Sequence, residues 1–321
     1  DEDGNELSLR IVGLSENYIY NYLYLSADSW ESQNREAPDY RSIYLKTDGV
    51  ADEHVLLARL MNFDAVSSVT VNADTLDRFD NMMSSMNYIV LVIIVCAGAL
   101  AFIGYGYWHG QQNNKQLEQI GFNAPDAAAL QRMDLASFTV DWDALRAINP
   151  DVVGWIYVPG TTVNFPIVHG TDDEHYLKTD FYGQTSWVSF GSIFLSATNA
   201  ADFSDANNIV YGHHMNDGSM FSPFADFGDT DTFNGHRTVY VFTPTANYQL
   251  TTFSIVHCTA DDPLAQTAFA SEQERQAYVQ DKVDRSVVSV AGLPSAADMK
   301  HTFAFSTCDN LASNGRWVLF A

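Results

Sequence analysis

The sequence predicts a mainly β fold: an eight-stranded antiparallel barrel, preceded by one transmembrane helix and an α+β N-terminal segment. Three observations predict it. Beyond residue 150, eight short alternating or apolar runs are separated by turns rich in Gly, Pro, Asn and Asp, the spacing of an antiparallel barrel. Between the sixth and seventh runs, Ser271 to Ser286 sets Ala277, Tyr278 and Val283 among charged residues, the pattern of an amphipathic helix. Ahead of all of them, Asn81 to Trp108 contains no charged residue.

Residues 1–87 form the N-terminal segment, with an apolar run from Leu7 to Leu14, an aromatic run from Tyr18 to Tyr24 and a helical stretch from Glu53 to Phe63. Tyr88 to Tyr107 then supplies about 20 mostly apolar positions, enough to cross a hydrocarbon core of about 30 Å, and the membrane helix is placed at 88–108. Tyr88 at one end and Tyr105, Tyr107 and Trp108 at the other suit the two interfacial belts. Arg78 and Lys115 are the near cations, one on each side, so flanking charge sets no orientation. The long segment ahead of the span argues against a cleavable signal peptide. Residues 109–140 are polar and helix-prone, a juxtamembrane linker with a short helix over Asp126 to Leu130.

A second domain, 141–321, opens with a helix from Trp142 to Ile148, capped by Asp141 and stopped by Asn149-Pro150. Strands are expected over Gly154–Val158, Phe165–Val168, Gly191–Leu195, Asn208–Tyr211, Thr238–Thr243, Asn247–His257, Thr302–Thr307 and Arg316–Ala321. The last run reaches the end of the chain, and a residue or two of edge pairing is expected beyond it.

Composition excludes some partners. With 40 acidic against 16 basic residues the net charge is −24, which repels phosphate backbones and argues against a nucleic-acid partner. Of three cysteines, Cys96 lies in the apolar stretch, and no disulfide is expected between Cys258 and Cys308.

Two strand ends carry the chemistry. Asn208 to Tyr211 runs into Gly212 and His213, and Thr302 to Thr307 runs into Cys308, with Arg316 opening the next strand after a loop. A thiol attacks a carbonyl as thiolate and needs an imidazole to hold its proton and later to protonate a leaving amine. The oxyanion that forms is stabilised by backbone N–H groups or by an arginine that keeps its charge. His213, Cys308 and Arg316 are the candidates for those roles, with His214 an alternative base. Cys308 and Arg316 flank one loop and so share one end of a sheet. His257-Cys258 forms a second candidate pair but lies in an alternating run, as strand packing would. A zinc site from His213, His214, His257 and Cys258 lacks the close ligand spacing of structural zinc. The acyl-transfer chemistry itself requires no metal or organic cofactor.

Five ordered blocks carry a resemblance: Ile148 to Ile156, Pro166 to Gly170, Gly191 to Leu195, Asn208 to Phe221, and Ser306-Thr307-Cys308 with Arg316. Over about residues 109–321 the chain resembles a class B sortase, a membrane-anchored cysteine transpeptidase of Gram-positive bacteria. The resemblance implies an eight-stranded sortase barrel with a helix before the cysteine strand. It assigns His213, Cys308 and Arg316 to catalysis and Tyr211, Ser306 and Thr307 to the substrate groove. It further implies cleavage of a C-terminal sorting motif of surface proteins through a Cys thioester, and transfer to an amine of peptidoglycan or a pilin. The implied location is the cell membrane, single-pass, with the catalytic domain outside.

A softer resemblance covers the N-terminal part. Val69-Thr70-Val71, Leu76 to Met83 and the span look like the end of an extracellular domain and the following helix of an FtsX-like permease of ABC-type exporters. That helix runs from outside to inside, which implies the opposite topology. With no initiator Met, the chain reads as a fragment, a fusion or a join near Gly104 to Trp108. The alternative functions are a cysteine hydrolase of the envelope and a permease fragment fused to a sortase domain.

Overall fold

The computed structural model describes residues 8, 10–14, 24–34, 37–47, 52–122, 135, 138–185, 191–259, 262, 266–311 and 314–321. The chain divides into two compact units, residues 1–89 and 90–321.

In the first unit lie α1 (Ala27–Asn34), α2 (Glu53–Leu60) and the beginning of α3 (Asn72–Gly121). Asp52 caps α2 by accepting from the His54 and Val55 N–H groups at 3.0 and 3.2 Å, two donors the helix itself leaves unpaired. This is the helix expected from residue 53. No strand occurs among the described residues of this unit, where an α+β segment was expected. Its apolar run is exposed at Ile11, Val12 and Leu14 and finds no pairing partner there. The aromatic run lies outside the described residues except Tyr24.

Helix α3 is longer than the expected span at both ends, and its Leu76–Gly121 portion is long and apolar enough to cross a membrane. Side chains such as Ile93, Val95 and Leu100 stand exposed at 60%, 63% and 70%, a surface suited to lipid rather than water. The expected short helix over Asp126 to Leu130 lies outside the described residues.

In the second unit, α4 (Trp142–Ile148) begins at Asp141, whose carboxylate accepts from the Ala144 N–H at 3.0 Å, as expected. Among the described residues nine strands follow: β1 (Val152–Tyr157), β2 (Asn164–His169), β3 (Ile193–Leu195), β4 (Asn207–Tyr211), β5 (Thr238–Phe242), β6 (Asn247–Thr251), β7 (Ser254–Cys258), β8 (Thr302–Cys308) and β9 (Arg316–Phe320). Short helices α5 (His175–Lys178), α6 (Pro223–Asp226) and α7 (Thr230–Gly235) sit in the connections. Helix α8 (Glu272–Asp284) precedes the cysteine strand, with Ser271 accepting from Glu274 N–H at 3.1 Å.

The strands form one sheet ordered β6-β5-β1-β2-β3-β4-β8-β9-β7. Its two edge strands, β6 and β7, are consecutive in the chain and separated only by Thr252-Phe253, so the sheet must curl until its edges meet. That crossing is why the single expected strand Asn247–His257 is two: its first half pairs with β5 and its second with β9. Pairing also departs from the antiparallel expectation, since β2 with β3 and β4 with β8 are parallel. Parallel neighbours need long crossovers, and Gly170 to Ser192 and Gly212 to His301 supply them.

Alternation along the strands sorts side chains to two faces. One face fills the curled sheet with Ile156, Phe165, Ile167, Val210, Val241, Ile255, Phe303, Phe305 and Leu319, all at most 5% exposed. The other is covered in two patches. Leu117 and Phe122 from the end of α3 and Leu145 of α4 pack on Trp155, Phe194 and Phe242. Tyr278 and Val279 of α8 pack on Ile209, Val256, Ala304 and Phe320. Tyr211 touches both patches and marks the gap between them.

Candidate active site

Strands β4 and β8 run parallel with Tyr211 opposite Ser306, and the ladder continues one step as Gly212 N–H donates to the Ser306 carbonyl at 3.0 Å. His213 and Cys308 each lie two residues past that pair, so a period of two puts both on the outward face at neighbouring strand ends. On the other side of β8, Cys308 is registered directly with Arg316 of β9. Directly opposed residues of an antiparallel pair have Cβ atoms about 4.5–5.5 Å apart on one face. Three consecutive strands, β4, β8 and β9, therefore deliver an imidazole, a thiol and a guanidinium to one end of the sheet.

His213 is half-buried, and its Nε2 lies 2.7 Å from the Leu177 carbonyl at α5. A carbonyl only accepts, so Nε2 carries the proton and Nδ1 is left to bind or release one. Gly191, at φ +49°, packs against the same edge of the ring: a Cβ there would come within 2.9 Å of both Nε2 and the Leu177 carbonyl. His214, the alternative base, points to the opposite face and donates from Nδ1 to the Cys308 carbonyl at 2.9 Å. Arg316 donates from Nη1 to the Gly315 and Asn314 carbonyls at 3.0 and 3.2 Å, and no carboxylate among the described residues pairs with it.

Tyr211 and Ser306 line the outward face beside Cys308. Burial, and secondarily the Asp173 carboxylate, push the Tyr211 hydroxyl up to about 12, with Arg316 opposing the shift. It therefore remains a hydrogen-bond donor at any ordinary pH. Thr307 departs from the expected groove set. Alternation turns it to the inner face, where it is 2% exposed and registered with Trp317, so its side chain does not share a surface with Cys308.

Cys258 sits on the same rung, on the far side of Arg316. Two strand spacings of about 4.8 Å separate it from Cys308, too far for a disulfide, and all three cysteines are free. Burial, then Asp262, push the Cys258 thiol up to about 11, which keeps it un-ionised and unreactive near neutrality. The four residues weighed as a zinc set are each held elsewhere. His213 is on Leu177, His214 on Cys308, His257 on Asp309, and the Cys258 thiol faces the Arg316 carbonyl at 3.7 Å.

Sequence reasoning missed how the loop between β8 and β9 is secured. The Asp309 carboxylate, 1% exposed, accepts from His257 Nε2 at 3.0 Å. Asn310 donates to the His214 carbonyl at 2.8 Å, tying that loop to the residue after His213. A hollow of about 500 Å³ opens there, lined in part by Cys308, His214, Asn216, Asn310 and Asn314.

No family model matches the chain. It is 29% identical over 222 residues to sortase B of Listeria monocytogenes serovar 1/2a (strain ATCC BAA-679 / EGD-e), covering 67% of this chain and 87% of that protein. To sortase B of Staphylococcus aureus (strain NCTC 8325 / PS 47) it is 30% identical over 172 residues, 54% of this chain and 69% of that protein. Among solved structures, a Staphylococcus aureus sortase B–substrate complex superposes with a TM-score of 0.56 at 26% identity, covering 66% of this chain and 95% of that one. With that extent of shared sequence and the same curled sheet, the chain belongs to the class B sortases.

Proposed function

We propose that this sortase is a membrane-anchored transpeptidase in which Cys308 is the nucleophile, His213 the acid–base and Arg316 the oxyanion cation. The observation that carries this reading is the register: Cys308 faces Arg316 across β8 and β9, while His213 and Cys308 extend equally beyond the paired Tyr211 and Ser306.

The Cys308 thiolate attacks a backbone carbonyl in a sorting motif near the C-terminus of a surface protein. Negative charge collects on the carbonyl oxygen, where Arg316, free of any carboxylate partner among the described residues, stabilises it. His213 Nδ1, holding the proton taken from the thiol, gives it to the departing amine, and a thioester remains on Cys308. An amine of peptidoglycan or of a pilin subunit then attacks the thioester carbonyl. His213 removes the amine proton and passes it to the sulfur, so a new amide forms and Cys308 leaves as the thiol. Tyr211 and Ser306 line the groove that holds the motif, with the Tyr211 hydroxyl available as a donor. The long apolar helix supports an anchored enzyme, and we read the catalytic domain, from about residue 141, as standing on the outer face of the cell membrane.

The test is mass spectrometry of the detergent-solubilised full chain with a library of sorting-motif peptides and an amine acceptor. Ligated product is expected from the unmodified chain. It is expected to fall to background in Cys308→Ala and His213→Ala, and by about 100-fold or more in Arg316→Ala, in line with the loss of one oxyanion donor. Undiminished ligation by Cys308→Ala would overturn the assignment.

A further inference from the structure

Asp309 follows Cys308 directly, yet its carboxylate lies on the opposite face of β8 from the thiol, buried to 1% exposure. A carboxylate withdrawn from water needs donors, and here they come from two directions. His257 of β7 donates from Nε2 to Oδ2 at 3.0 Å, and the Leu311 N–H donates to Oδ1 at 2.9 Å. The His257 ring is itself fixed, stacked on Trp317 with centroids 4.4 Å apart and planes 16° from parallel. Strand β7 pairs with β9 and not with β8, so the contact reaches across β9 from one side of the catalytic rung to the other.

The anchored segment is the loop that separates Cys308 from Arg316. Asp309 N–H donates to the Gly315 carbonyl at 3.1 Å, closing the loop at its neck, and Gly315 lies so near Asp309 Oδ2 that a Cβ there would collide with it. Asn310 and Asn314, at φ +55° and +51°, take the left-handed turns, a conformation asparagine tolerates. From this loop Asn310 donates to the His214 carbonyl, and His214 donates back to the Cys308 carbonyl. The same structure thus ties together the backbone at all three proposed catalytic residues.

We infer that His257 and Asp309 are positioning residues: the hydrogen bond from the His257 imidazole to the buried Asp309 carboxylate anchors the β8–β9 loop and so holds Arg316 and the 213–214 backbone in register with Cys308. Asp309 thereby serves the loop and does not act as a third member orienting His213. This inference rests on the assignment of Cys308, His213 and Arg316 above. Because the three groups must converge on one carbonyl only as charge develops, loosening the loop weakens transition-state contacts more than binding of the motif.

The experiment compares transpeptidation kinetics of the full chain with those of His257→Phe, which keeps a ring over Trp317 but has no N–H, His257→Gln, which restores a donor without the ring, Asp309→Ala and Cys308→Ala. Rates are corrected for the folded fraction by thermal unfolding. His257→Phe and Asp309→Ala are expected to lose about ten- to a hundredfold in kcat, the cost of misplacing reacting groups by a fraction of an ångström to an ångström, with KM changed less than about threefold. His257→Gln is expected to recover most of that loss. If His257→Phe matches the parent in kcat while Cys308→Ala is dead, the positioning role is wrong and the catalytic assignment stands. A parent-like kcat with raised KM, or no recovery in a folded His257→Gln, would also overturn it. An active Cys308→Ala would instead remove the catalytic reading beneath it.

Discussion

At the scale of single residues, two adjacent histidines have different surroundings. His213 faces the outward surface shared with Cys308, with Nε2 on the Leu177 carbonyl, whereas His214 is spent on the Cys308 carbonyl. Replacing His214 with Ala removes a hydrogen bond that orients the backbone under the nucleophile, and a tenfold fall in kcat is expected, against loss to background for His213→Ala. Parallel rate measurements on the two variants decide this, and the reverse order would make His214 the base. That His213, Cys308 and Arg316 come to one end of the sheet was legible in the sequence because each stands at a strand end beside Gly or a loop. Thr307 was misread because adjacency to the nucleophile is not alternation: one residue along β8 is the other face. His257 and Asp309 were invisible as a pair because their contact depends on β7 crossing to β9, which no local pattern announces.

At the scale of elements, the patterns that were read correctly are those set locally. Helices α4 and α8 begin at Asp141 and Ser271, each bonding the N–H three residues on. Ser271→Ala is expected to lower stability by about 1 kcal/mol, the usual worth of such a cap. Phe305→Ala, a fully buried ring inside the curled sheet, is expected to cost about 3–5 kcal/mol. Chemical denaturation of the two variants checks the contrast, and equal losses would contradict this placing of the core. What was not legible is set by distant pairing. The run Asn247–His257 alternates continuously, so nothing local shows that it leaves one edge of the sheet at Thr252 and rejoins at the other. The two parallel pairings are hidden for the same reason: strand direction is decided by where the crossovers land.

Across the whole molecule, burial of weak acids gives a pH dependence with a definite sign. Cys258 is pushed up to about 11, and Tyr176 and Tyr211 to about 12, in each case chiefly by burial. Tyr278, on the buried side of α8, moves in the same direction. In the unfolded chain these groups ionise near about 8.5 and 10. The stability they contribute is fully present below those values and is lost as pH rises toward 11–12, because the unfolded state then releases protons that the folded state retains. Thermal unfolding of the detergent-solubilised chain is therefore expected to move to lower temperature steadily above about pH 9, and less steeply in Tyr211→Phe; a flat profile to pH 11 would contradict the burial of these groups. These groups lie on the outer side of the sheet among the residues that cover it, and the proposed activity depends on the convergence of the neighbouring strands β4, β8 and β9 at one end. The most direct measurement is peptide mapping by mass spectrometry of the full chain incubated with sorting-motif peptide and no acceptor amine. An acyl group released by hydroxylamine is expected on Cys308 alone, since Cys258 stays un-ionised on the same rung. An adduct on Cys258, or ligation proceeding with no adduct on Cys308, would contradict it.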